Sequence, residues 1–371
     1  MRDTTARNAL LVSALLAVPP GAASAQGQPY TPARECAVCH ETIHQYWSES
    51  AHARSARPAF LESLRATAAG PAARRDCIWC HAPTVLATGD WAVEQAITGE
   101  GVTCDFCHTV ASVHLGAPDH PFELAPGDVK LGPLQYTADA PHGTAYSTLH
   151  RTSALLCASC HEYRNEAGIA VLSTWSEWRD SPYAERGETC QECHMPLVPG
   201  RTVVEGLESS QRVINLHRMS GGSVSSKLAS GLELKIDSFH ARGSSATVGV
   251  VVTNAGVGHA VPGGLSSKSL VLAVGVDTGS GGLSHRLEQI YRRELLDAGG
   301  RSLTAAGDLF LKAASVGEDT RIGPKQSRAA RFTLPLPEGW RAVVARLEYR
   351  DASDPSAEPT TTLIREERRE R

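Results

Sequence analysis

The sequence predicts an α + β chain in two parts, mainly helical and irregular over residues 26–220, then an antiparallel, β-sandwich-like unit over residues 225–365. Three observations carry this reading. All ten cysteines fall between Cys36 and Cys193, the chain just after Cys39 has helical three- and four-residue spacing, and beyond Leu232 the apolar residues alternate with period two.

The cysteines define the first part. Five times the chain reads Cys-x-x-Cys-His, at Cys36–Cys39–His40, Cys77–Cys80–His81, Cys104–Cys107–His108, Cys157–Cys160–His161 and Cys190–Cys193–His194, and no cysteine lies outside the pattern. That spacing is the attachment site of haem c: two thioether bonds hold the porphyrin, and the adjoining histidine is one axial ligand to iron. Structural zinc pairs two Cys-x-x-Cys knuckles without requiring a histidine after either, and five knuckles would leave one unpartnered. With 15 histidines in 371 residues, finding one after every pair by chance has odds on the order of one in ten million. The expectation is five covalent haems.

An export segment fits that chemistry. Arg2 and Arg7 precede an apolar run from Ala9 to Val18, and the small residues Ala23, Ser24 and Ala25 precede Gln26, so Met1–Ala25 reads as a secretory signal. The run is shorter than the ~20 apolar residues a bilayer span needs. A periplasmic chain starting at Gln26, with no transmembrane segment, is expected. The net charge of −4 gives no reason to expect nucleic acid as a partner.

Five motifs in so short a stretch leave roughly 30 residues for each haem, too few for an ordinary apolar core, so the porphyrins themselves must form the interior and lie close together. Glu41–Ser55, free of proline and glycine, is expected to be a helix limited by Pro58. The segment 111–141 is read as a loop wrapping haem edges, and Trp175 and Trp178 as packing residues.

The second part lacks cysteine. Leu232–Ile236, Ala246–Thr253, Leu270–Val276, Ala329–Leu336 and Ala342–Tyr349 alternate as strands, and the spacing implies at least six of them. Gly221–Ser226 is a linker candidate, and the mixed-charge end Arg365–Arg371 reads as a frayed tail.

The second axial ligand separates electron transfer from catalysis, because a saturated iron only relays electrons whereas an open one binds substrate. His44, His52, His114, His120, His142, His150, His217, His240, His259 and His285 remain as candidates. Trp47–Ala53 with His52, Gly101–His108, Thr189–Pro196, the segment 212–222 with His217, and Asn254–Gly264 with His259 resemble the multihaem cytochromes c of the cytochrome c-554 type. That wider group includes hydroxylamine oxidoreductase and octahaem reductases. The resemblance implies distal histidines drawn from loops far from the motifs, and carried over it points to His52, then His142, His217 and His150. His259 would serve only if the β region reached a haem, while His44 and Met195 are expected to pack. The chain has no Cys-x-x-Cys-Lys motif of the kind that ligates the active haem of related reductases. It is therefore expected to be an electron carrier between redox partner proteins rather than an enzyme. The alternative is an oxidoreductase acting on a small nitrogen or sulfur compound at one open haem, with Arg151 or His120 stabilising developing charge.

Overall fold

A Cys-x-x-Cys-His segment covers about one helical turn, which brings both sulfurs and the histidine to one side. In the computed structural model a short helix accompanies each motif: Ala33–Cys36 leads into the first, and Pro71–His81, Cys104–Cys107, Leu155–His161 and Cys190–His194 hold the others. The structure describes residues 29–67, 70–117, 119–135, 141–207, 210, 212–222, 224–353 and 357–371. The expected export segment Met1–Ala25 lies outside the described residues, as do Ser223 of the linker and residues 118 and 136–140 of the expected loop.

The helix expected over Glu41–Ser55 is divided. It runs over Glu41–Ser48 and is followed by a 3₁₀ turn at His52–Arg54. Serine hydroxyls cause the break: Ser48 Oγ donates to the Gln45 carbonyl and Ser50 Oγ accepts from Ala53 N–H, competing with the helical ladder. Pro58 opens the next helix, Pro58–Thr67, where its missing N–H costs nothing. The segment 111–141 is more ordered than a loop. Val110–Val113 pairs with Phe122–Leu124, and Val129–Gly132 runs parallel to Gly143–Tyr146.

The β region holds a small antiparallel sheet pairing Arg293–Leu296 with Ser315–Asp319 and two larger antiparallel sheets. One has three strands in the order Ser327–Pro335, Ser245–Asn254, Leu232–Arg242, and the other has four in the order Leu283–Tyr291, Lys268–Asp277, Ala342–Asp351, Thr360–Glu370. Ser245–Asn254 alternates strictly, burying Ala246, Val248, Val250 and Val252, and these join Leu270, Leu272, Val274, Val343, Ala345 and Leu347 of the other sheet in one apolar cluster. Each fully buried valine or leucine contributes about 1.5–3 kcal/mol. The end Arg365–Arg371 is not frayed: nearly all of it lies in the strand Thr360–Glu370, paired along Ala342–Asp351, with Arg346 bonded to Glu366 at 2.7 Å.

The two halves touch. Leu295, Leu309 and Ala313 pack on Val171, Asn165 Nδ2 donates to Ala313 O at 2.7 Å, and Tyr183 Oη donates to Ala255 O at 3.1 Å. No helix among the described residues is long and apolar enough to cross a membrane.

Candidate haem-binding site

The motif helices converge on a cavity of about 1650 Å³ lined by the cysteines and histidines of the first four motifs. A site for one drug-sized ligand occupies ~300–1,000 Å³. Cys193 and His194 of the fifth motif line a smaller adjoining cavity of about 250 Å³. None of the ten cysteines is paired in a disulfide, which leaves every sulfur available for a thioether bond. Cys36 lies within hydrogen-bonding reach of Cys104, Cys80 of Cys160, and Cys157 of Cys190, so the motifs adjoin one another. Burial pushes the Cys77 thiol up to about 11 and that of Cys107 up to about 12, whereas hydrogen bonds from Cys104 and Cys157 hold the Cys36 and Cys190 thiols down.

Seven of the histidines share one arrangement. His40 Nδ1–H donates to Val203 O at 2.6 Å, His81 to Ser55 O at 3.0 Å, His108 to Leu131 O at 2.5 Å and His194 to Ser220 O at 2.8 Å. His142 donates to Gly143 O at 3.0 Å, His217 to Asn215 O at 2.7 Å and His259 to Ala260 O at 3.0 Å. A carbonyl on Nδ1 fixes the tautomer and leaves the Nε2 lone pair for a metal. Burial pushes His108 down to about 3 and His161 down to about 4, holding both rings in the neutral form a metal requires.

Ring positions sort the candidates. His40 faces His142 at a centroid separation of 6.2 Å, His161 faces His52 at 6.2 Å, His108 faces His217 at 6.4 Å, and His194 faces His259 at 6.4 Å. Metal–imidazole bonds of about 2 Å on each side place the two nitrogens about 4 Å apart, and half a ring beyond each brings the centroids to roughly 6 Å. The residues present therefore fit haem iron between paired imidazoles. His150 lies 5.6 Å from His108, but both of its nitrogens are engaged, Nδ1 with Ser147 Oγ and Nε2 with Cys107 O at 2.7 Å. His81 stacks on Phe60 at 4.0 Å. Among the described residues no second histidine ring pairs with His81 as in the other four motifs.

Local structure explains the Trp47 to His52 segment. Trp47 Nε1 donates to Val102 O, and His52 O accepts from Val102 N–H and Ser55 Oγ. Gly101, at φ 74°, admits this approach, since a Cβ there would sit 2.5 Å from Ser55 Oγ and 2.6 Å from His52 O. The approach to the third motif thus seats His52 beside the fourth.

His259 does reach the haem region. Gly258 lies against Trp178 and Tyr183, Ala260 N–H donates to Glu177, and Glu177 pairs at 2.8 Å with the buried Arg321. Trp178 is a packing residue whose Nε1 donates to Glu188 O, and His44 packs on Trp47. Arg151 lines the large cavity, whereas His120 stacks on Phe122. Sequence reasoning missed Phe60, the Glu177–Arg321 pair and Met219, whose sulfur accepts from His52 Nδ1 at 3.0 Å. Only the position of Met219, two residues after His217, offered a signal.

Five haem c motifs converging on shared cavities, with histidines from both halves around them, define a multihaem c-type cytochrome. Residues 35–109 match the family described as cytochrome c554 and c-prime, which spans the first three motifs. Cytochrome c-554 of Nitrosomonas europaea is 27% identical over 110 residues, covering 27% of this chain and 46% of the relative, so the match spans less than half of that protein. A penta-heme cytochrome c552 from Thermochromatium tepidum shares the fold, with a TM-score of 0.73 and 19% identity over 92% of this chain and 99% of that one. Within that class, residues 35–109 resemble the cytochrome c-554 family, and the chain as a whole shares the fold of the penta-heme cytochrome.

Proposed function

We propose that this protein carries five covalent haems and relays electrons between a respiratory donor and an acceptor, both redox proteins, in the periplasm. The observation that carries the reading is the set of four histidine pairs at 6.2–6.4 Å. On this reading His142 serves the iron of His40, His217 that of His108, His52 that of His161 and His259 that of His194, which the ring separations support. His217 is preferred to His150 because its Nε2 is free of protein partners among the described residues. The bound groups supply one-electron iron chemistry, and the protein fixes ligand identity, hydrogen bonding and burial. Residues 26–220 are read as the haem-bearing domain, and residues from 225 onward as a sandwich-like domain that extends past residue 365 to Glu370 and donates His259.

A second reading attaches to His81, whose ring meets Phe60 rather than a histidine. One iron left open would allow a small nitrogen or sulfur compound to bind. Low-temperature electron paramagnetic resonance of the oxidised protein, with and without cyanide or nitrite, tests both readings. A high-spin fraction near one haem in five that responds to added ligand supports four closed irons and one open one. Wholly low-spin, unresponsive spectra would remove the second reading, and more than one high-spin haem would break the pairing scheme.

A further inference from the structure

Nine histidines serve as ligands in the scheme above, and seven of them donate Nδ1–H to a backbone carbonyl. The other two are His161, whose Nδ1 meets no backbone carbonyl among the described residues, and His52, whose Nδ1–H donates to the Met219 thioether at 3.0 Å. Both exceptions belong to the same pair, whose ring centroids lie 6.2 Å apart. Their coincidence at a single haem is the informative fact, and the inference drawn from it rests on the pairing of His52 with His161.

A strong acceptor on Nδ1 pushes electron density through the ring to Nε2, makes the imidazole a better donor, stabilises ferric iron and lowers the potential. A thioether sulfur is a weak acceptor. We propose that the fourth-motif haem has the highest potential of the four bis-histidine haems, and that Met219 sets it there by placing a poor acceptor behind His52. Met219 is thus a positioning and tuning residue, not a ligand.

The backbone around Met219 supports a dedicated role. Within the span from Asn215 to Ser220, Asn215 O takes His217, Met219 Sδ takes His52 and Ser220 O takes His194. Three irons are therefore served by one short segment. Met219 itself adopts φ 46°, a left-handed conformation that a non-glycine residue keeps only when its surroundings impose it. The fourth motif also adjoins its neighbours, with Cys160 in reach of Cys80 and Cys157 in reach of Cys190. A high-potential haem at this junction would collect electrons arriving from either side.

The test is an optical redox titration of the holoprotein with Met219→Gln, Met219→Leu and His52→Ala, after mass spectrometry has verified haem content. His52→Ala identifies the component, because it should turn one low-spin haem high-spin. Met219→Gln offers an amide oxygen to His52 and should lower the potential of that same component, leaving the others unmoved. Met219→Leu removes the acceptor and should raise it, with the low-spin signal retained. Unchanged potentials in both Met219 variants would overturn the proposal while leaving the ligand pairing intact. A high-spin haem in Met219→Leu would also overturn it, by making Met219 a ligand or a structural prop. Failure of His52→Ala to produce high-spin iron would instead remove the pairing itself.

Discussion

In the proposed scheme most ligand histidines divide their two ring nitrogens between tasks, and that division separates His217 from His150. His217 gives Nδ1–H to Asn215 O and keeps Nε2 free of protein partners, whereas His150 spends Nε2 on the Cys107 carbonyl. His217→Ala should convert one haem to high spin, while His150→Ala should leave the low-spin spectrum intact; electron paramagnetic resonance distinguishes the two. Removing a thioether sulfur is a separate matter. Cys107→Ala should lower the mature protein from five haems to four, and an intact mass that still corresponds to five would break the attachment argument. The cysteines and their adjoining histidines were legible from the sequence because covalent chemistry imposes a fixed local spacing. The proposed distal partners could be read only as a set of candidates. His52 meets His161 through the turn at Gly101–Val102, and no local pattern in the chain encodes that approach.

The strands were recognisable wherever one face is buried, since burial enforces period two, as in Ala246–Val248–Val250–Val252. Thr360–Glu370 was missed for the same physical reason in reverse. It is an edge strand whose residues are mostly exposed, so charge takes the place of apolar alternation and also guards the edge against pairing with another chain. The helix break after Ser48 was equally hidden, because it depends on serine hydroxyls choosing backbone partners over the helix. The shared apolar cluster gives a direct test at this scale. Leu272 is fully buried between the two sheets, and Leu272→Ala should cost about 2–5 kcal/mol. Denaturant unfolding followed by far-ultraviolet circular dichroism should show a lowered midpoint, and a change under 1 kcal/mol would mean that the sheets do not share a core.

Across the whole molecule, the proposed scheme makes the β half part of the haem array and not a passive cap. Its loop at His259 enters the first half between Trp178 and Tyr183 and is held there by Ala260 N–H on Glu177, which in turn pairs with Arg321. The Arg321 side chain is only 8% exposed, and removing one member of a buried ion pair costs about 3–5 kcal/mol. Arg321→Met should therefore loosen this contact and lower the thermal midpoint. His259→Ala removes the ring but leaves the loop and its ion pair in place, so the two variants separate anchoring from ligation. If the β half donates a ligand, His259→Ala should turn the haem of the fifth motif high-spin, shift its potential and leave the unfolding midpoint near that of the parent. If the β half only caps the array, His259→Ala should change no spectrum, and Arg321→Met should lower stability without altering any haem. A high-spin haem in both variants would show that the contact through Glu177 is what presents His259 to the iron, making the β half a structural member of the electron path.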